Sequence, residues 1–185
     1  MKLCLLVLVF LFLRSAAVAQ TRDLDLVQEE SSVTYRLVHP LHEVEATSKQ
    51  VQYLLKADPS TREIKSVSAQ VDVTTFDSGN SNRDSHAMEA IDALTYPEVT
   101  FTSTSIAQAG DSVRVTGNLM FHGVTKEVVI AALLKWSENR LVVQGSFGIS
   151  LTGFNVDRPS LLMIPVEDAL NFTIDGVFRW GARSG

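Results

Sequence analysis

The sequence predicts an all-β domain of eight antiparallel strands behind an export signal, and three observations carry that expectation. Apolar and polar residues alternate with period two from Ser32 to Trp180, the mark of strands that bury one face. The connections between most of these runs are too short for helical crossovers, so neighbouring strands run antiparallel. The chain opens with Met1 and Lys2, continues through an apolar run from Leu3 to Leu13 and closes this segment with Ala17-Val18-Ala19, the layout of a cleavable secretory signal.

The signal bounds what the mature protein can be. Its apolar run of eleven residues is short of the roughly 20 that cross a bilayer, so cleavage after Ala19 is expected, with no integral span in the mature chain and a periplasmic or secreted location. Of the 185 residues, 166 remain, enough for one domain with a sizeable core. The only cysteine, Cys4, leaves with the signal, which excludes disulfide frameworks, thiol redox chemistry and cysteine metal sites. Lys2 and Arg14 leave as well, so 14 of the 16 basic residues face all 21 acidic ones, a balance of −7. That charge gives no general attraction to phosphate backbones, and nucleic acid is not an expected partner.

Residues 20–31 read as a lead-in, 32–180 as the β-domain and 181–185 as a loose tail. The first strand is marked by Val33, Tyr35 and Leu37, the second by Val51, Tyr53 and Leu55, and the third by Val67, Ala69, Val71 and Val73. The turn Ala57-Asp58-Pro59-Ser60 separates the last two. The period then changes. Ala87, Met88, Ala90, Ile91 and Leu94 recur at helical spacing, which predicts a short helix over about 81–93, capped by Ser81 or Asn82 and ended by Tyr96-Pro97. Val99 and Phe101 open the fourth strand, and Val113, Val115, Gly117, Leu119 and Phe121 line one face of the fifth. Val128 to Leu134 is apolar on both faces, so an outer cover by a helix or loop is expected there. The seventh strand places Leu141, Val143, Gly145, Phe147, Ile149 and Leu151 on one parity, and the eighth does the same with Leu170, Phe172, Ile174, Gly176 and Phe178. Between them, about 155–168 holds Pro159 and Pro165 and is too long for a tight hairpin. Such a loop is a candidate lid or mouth.

Eight strands with one apolar face each can stack as two sheets or close as a barrel, and periodicity alone chooses neither. Either way the inward parity of the clearest strands carries no charge, because an unpaired ion there would cost several kcal/mol. Gly117, Gly145, Gly176 and Ala69 either leave room inside or, for the glycines, mark bends and bulges. An open interior of this kind favours an apolar guest such as an acyl or isoprenoid chain. The candidate lining is Tyr35, Leu37, Tyr53, Phe101, Leu119, Phe121, Phe147, Ile149, Phe172 and Ile174.

Catalytic and metal readings find little support. His39, His42, His86 and His122 show no converging ligand pattern, and structural or solvent-facing histidines are expected. No serine sits in a nucleophile elbow. No catalytic residue, metal or cofactor is therefore assigned. Arg83, Asp84, His86 and Glu89 gather on the short helix; this is a solvated face or a clamp on the domain's end, or else Arg83 and His86 form a polar mouth for a head group. Two functions from different classes follow: a lipid carrier, and a filled β-domain serving as a structural, stress-related or protein-interaction module.

Three blocks carry a family likeness. The run from Asp77-Ser78-Gly79-Asn80 through Arg83-Asp84-Ser85-His86, then Tyr96-Pro97-Glu98-Val99-Thr100-Phe101, then Val115-Thr116-Gly117-Asn118-Leu119 to Phe121-His122-Gly123-Val124-Thr125-Lys126 resembles the YceI-like family of polyisoprenoid-binding exported proteins in order and spacing. The resemblance covers nearly the whole mature chain. It implies a lipocalin-like, eight-stranded antiparallel barrel that holds a long isoprenoid, polyprenol or quinone-like, in a central apolar channel. The chain departs from the family's pattern at Glu30-Ser31-Ser32-Val33, at Glu45-Ala46-Thr47-Ser48 and at Asp157-Arg158-Pro159-Ser160-Leu161-Leu162, which touches the expected mouth and the length of the channel rather than the fold.

Overall fold

The computed structural model describes residues 20–181. The expected signal over 1–19, and the expected tail beyond Gly181, lie outside the described residues. The strands in chain order are β1 (Arg22–Leu26), β2 (Ser32–His39), β3 (His42–Ser48), β4 (Gln52–Asp58), β5 (Glu63–Asp72), β6 (Glu98–Ala109), β7 (Ser112–Phe121), β8 (Val124–Trp136), β9 (Arg140–Ser150), β10 (Ser160–Leu161), β11 (Ile164–Pro165) and β12 (Ala169–Arg179). One helix, α1 (Ser81–Ala90), follows β5. Eight strands close an antiparallel ring in the order β1, β4, β5, β6, β7, β8, β9, β12, with β12 returning to β1. Closure removes the exposed strand edges that an open sheet would leave.

The ring is made by two kinked strands. β12 gives the lower part of its free edge to β1, through Leu26↔Phe178, and the upper part to β2, from Leu170↔Leu37 to Asp175↔Ser32. β1 and β2 are thus one strand interrupted by a 3-10 turn at Gln28–Glu30. Likewise β3 pairs with β2 and β4 with β1, so β3 and β4 form the second kinked strand. Ser31 repairs the ladder where the first strand breaks. Its buried hydroxyl accepts from the Val177 N–H at 3.0 Å and donates to the Val27 carbonyl at 2.8 Å. Glu30, in the turn, takes Arg140 guanidinium bonds at 3.1 and 2.6 Å, which hold its carboxyl below the usual range; Arg179 lies 3.6 Å away.

Four strands went unread in the sequence: β1 and β3 of the main sheet, and the short β10 and β11 inside the expected loop over 155–168. β1 falls inside the expected lead-in over 20–31, and its burial rests on Leu24 and the half-buried Leu26. β3 turns Val44, Ala46 and Ser48 inward against Glu43, Glu45 and Thr47 outward, a pattern too weakly apolar to register. The helix is also shorter than expected, ending at Ala90, and its cap is Asn80, whose side chain accepts from Arg83 N–H at 3.1 Å. Among the described residues nothing covers β8 from outside as expected: Val129 and Leu133 face outward at 49% and 54% exposure. Isolated surface aliphatics of this kind are ordinary, and β-branched residues suit a strand on either face.

Register fixes the two ends of the barrel. At the upper end lie the β2–β3 turn, the segment over 73–97 with α1, the His122-Gly123 turn and the loop over 151–168. At the lower end Ala57, Leu134 and Leu141 are fully or almost fully buried, and the Trp136 and Trp180 rings meet at 5.6 Å. The lower end is sealed by packing.

Candidate functional site

A cavity of about 220 Å³ runs inside the barrel. It reaches from Ile64, Val113 and Leu134 low in the barrel to Ala87 and Met88 of α1, Ile91 just after it, and Val156 and Pro159 of the loop above. Its wall is the inward parity of the strands, so alternation along each strand dictates its chemistry. Among the described residues, the polar ones that border it are Tyr35, Tyr53 and Asp84, together with Gln70, which stands on the outward parity of β5.

All ten residues proposed as lining border the cavity: Tyr35, Leu37, Tyr53, Phe101, Leu119, Phe121, Phe147, Ile149, Phe172 and Ile174. An aromatic band organises the upper half. Phe147 and Phe172 face one another across β9 and β12 and stack at 4.8 Å with 11° between planes. Phe172 is opposite Tyr35 on β2, and Tyr35 meets Phe76 at 5.4 Å. Phe76 escaped the sequence reading because it sits in a turn after β5, outside any period. The three inward glycines also find their reasons. A Cβ on Gly117 would stand 2.4 Å from the Thr102 carbonyl and 2.5 Å from the Phe101 ring. Gly117 lies opposite the point where β6 bulges, between Ser103 and Ser105, so it admits the Phe101 ring at a bend. Gly145 and Gly176 line the cavity itself.

Burial sets the electrostatics. The Tyr53 hydroxyl is buried with no hydrogen-bond partner, and burial, aided by the Asp175 charge, pushes its pKa up. Burial likewise raises Tyr35, with Asp84 adding to the shift and Arg83 opposing it. Both phenols stay neutral, and the one ionisable carboxyl that borders the cavity among the described residues is Asp84, at its mouth.

At the mouth, α1 places Asp84, Ala87 and Met88 on its cavity side, the spacing of three and four that one helix face requires, and Ile91 follows at its C-cap. Arg83 and His86 fall off that face. Neither borders the cavity; Arg83 is exposed, and the His86 side chain is 81% exposed with its Nδ1 3.8 Å from Glu89. The polar atoms nearest the mouth therefore belong to Asp84, which accepts from Ser78 N–H at 3.1 Å, and to Tyr35. The loop over 151–168 borders the cavity through Val156 and Pro159 and is pinned by Asp168, which accepts from Ser150 and from the Thr152 N–H at 2.9 Å. These bonds hold the Asp168 carboxyl below its ordinary pKa. His39 is buried and bonded to the Ile164 carbonyl, and His122 bonds the Phe154 carbonyl and packs on Tyr96 at 4.6 Å. Both hold chain segments together. Among the described residues, no three of His, Cys, Asp and Glu gather where a metal could sit.

Known proteins share this architecture. Protein YceI of Escherichia coli O157:H7 is 30% identical over 189 residues, 96% of this chain and 98% of its own length. BcnA of Burkholderia cenocepacia superposes with a TM-score of 0.75 at 25% identity, covering 83% of this chain and 99% of BcnA. A polyisoprenoid binding domain from Saccharophagus degradans, implicated in plant cell wall breakdown, shares the fold alone, with a TM-score of 0.60 at 13% identity over 86% of this chain and 98% of that domain. The model of the YceI-like domain matches residues 24–178, from the first closing strand to the end of the last. With that match across the whole barrel, the chain belongs to the YceI-like family.

Proposed function

We propose that this protein is a non-catalytic binder or carrier of a long apolar lipid, an isoprenoid of the polyprenol or quinone class, held in the barrel cavity. The observation that carries the reading is the wall. A space of about 220 Å³ is bordered by inward-facing apolar side chains but for two phenols and, at the mouth, Asp84. Each methylene moved from water onto such a wall gains about 0.8 kcal/mol. A charged head group would gain nothing inside and would stay at the upper end, by Tyr35 and Asp84. The aromatic band from Phe147 to Phe76 suits the flat, branched units of an isoprenoid through ring contacts. The polyisoprenoid-binding neighbour supports the choice of class.

The carrier reading places the protein outside the cytoplasm, after removal of residues 1–19. No helix among the described residues is long and apolar enough to cross a membrane. Native mass spectrometry of the purified mature chain tests the proposal. A bound mass matching a polyprenol or quinone is expected, released by organic extraction and regained on incubation with polyprenol. A chain that stays empty after such incubation would overturn it.

A further inference from the structure

The hairpin at the upper end is built unlike an ordinary surface turn. β10 and β11 pair through Ser160↔Pro165 and Leu161↔Ile164, which leaves a two-residue connection of Leu162 and Met163. Both have positive φ, 53° and 64°, the left-handed geometry of a type I′ turn that Asn-Gly fills with least strain. A bulky aliphatic residue pays a steric penalty there. Nothing in the barrel is gained in exchange, since Leu162 and Met163 are 76% and 95% exposed.

The tip has uncharged exposed neighbours. His39 ties the β2–β3 turn to it: the Leu41 N–H donates to Nδ1 at 3.1 Å, so Nε2 carries the proton and donates to the Ile164 carbonyl at 2.9 Å. Pro40, Leu41, Ile164 and Pro165 are exposed beside the tip. Arg158 braces the base, donating from Nε to the Val166 carbonyl at 2.7 Å. Pro159, the residue before β10, borders the cavity.

We propose that this hairpin is a docking wedge that enters the interfacial layer of a zwitterionic phospholipid bilayer and sets the cavity's upper end against the lipid. Its size and shape favour a bilayer over a protein. A convex tip of about six side chains cannot supply the roughly 800 Å² per partner of a stable protein interface, whereas shallow insertion needs only a few apolar side chains. At its base the Val166 N–H donates to the Pro159 carbonyl at 2.9 Å and the Ile164 carbonyl accepts from His39, which leaves fewer backbone groups to desolvate in an apolar layer. The net charge, −7 for the mature chain, offers no pull toward anionic lipid, so apolar insertion supplies the affinity.

Flotation of the mature chain with phosphatidylcholine vesicles tests the wedge. The protein is expected to float with the vesicles, and the double variant Leu162→Asn, Met163→Gly is expected to lose at least about tenfold in partitioning, as two large aliphatic groups are removed from the apolar layer. The same variant should fold at least as stably, because its residues suit the turn. It should also take up polyprenol from detergent as before, which separates docking from ligand binding. In a second variant, Met163→Trp, the new fluorescence should shift to the blue on adding vesicles, over the background of Trp136 and Trp180 at the opposite end. Three results would overturn the proposal: no flotation at millimolar lipid, flotation of the double variant equal to that of the parent, or a concentration-dependent dimer that the double variant abolishes.

Discussion

Replacing Ala69 with leucine distinguishes an open interior from a filled one by the sign of its effect. Ala69 stands on β5 between Tyr53 of β4 and Phe101 of β6, with its side chain on the cavity wall. Leucine adds three carbons. In an open cavity their burial stabilises the empty protein by at most about 2.4 kcal/mol, at about 0.8 kcal/mol per methylene. Loss of leucine rotamer freedom removes about 0.5–1 kcal/mol of that. The net gain of about 1–2 kcal/mol should raise the melting temperature by roughly 2–8 °C for a domain of this size. The same carbons displace about three carbons of a guest, so polyprenol affinity should fall by up to about 50-fold. Stability and affinity should therefore move in opposite directions. Urea unfolding of the delipidated variant gives the first quantity and a fluorescence titration with polyprenol the second. A filled core would instead be overpacked and lose about 1–3 kcal/mol; that loss, or an unchanged affinity, would refute the reasoning.

Three further outcomes follow from particular contacts. Gly117→Ala should destabilise by about 1–3 kcal/mol in urea unfolding, because its Cβ would meet the Thr102 carbonyl at 2.4 Å and the Phe101 ring at 2.5 Å; a neutral result would show that the β6 bulge can yield. Ser31→Ala strips the Val177 N–H of its buried acceptor and should cost about 1–3 kcal/mol, with faster amide exchange concentrated at Val177; uniform exchange would contradict a local repair. The carboxyl of Asp168 has a lowered pKa in the fold, so its support of the loop is complete above the ordinary carboxylate pKa and is lost as pH falls through the lower folded value. Exchange of the Thr152 amide should accordingly rise in acid, and Asp168→Asn should bring that rise to neutral pH. An acid profile unchanged by the substitution would assign the loop's hold elsewhere.

The strand pattern was legible because a barrel wall imposes one rule on every residue. From Leu141 to Leu151 and from Leu170 to Phe178, each inward position sees the same apolar space, and period two transmits that directly to the sequence. The same rule named all ten proposed lining residues. It failed where the wall depends on a few contacts between distant segments. β1 closes the ring through two pairs with β12 and three with β4, and only Leu24 and the half-buried Leu26 mark its inward face. β3 buries alanine and serine, which carry no apolar signal. At the mouth, composition drew notice to Arg83 and His86, but the helix that Asn80 caps turns Asp84 to the cavity side. The choice between barrel and sandwich was beyond periodicity too, since it turns on the β12–β1 contact.

Titration of the delipidated protein with polyprenols of graded length is the most direct test of a channel that binds along its length. Affinity should climb by about fourfold for each added carbon that reaches the wall, then level off once the chain fills the space between Ile64 and Met88. Affinity independent of length, or highest for the shortest alcohol, would place binding at the head group and contradict the account.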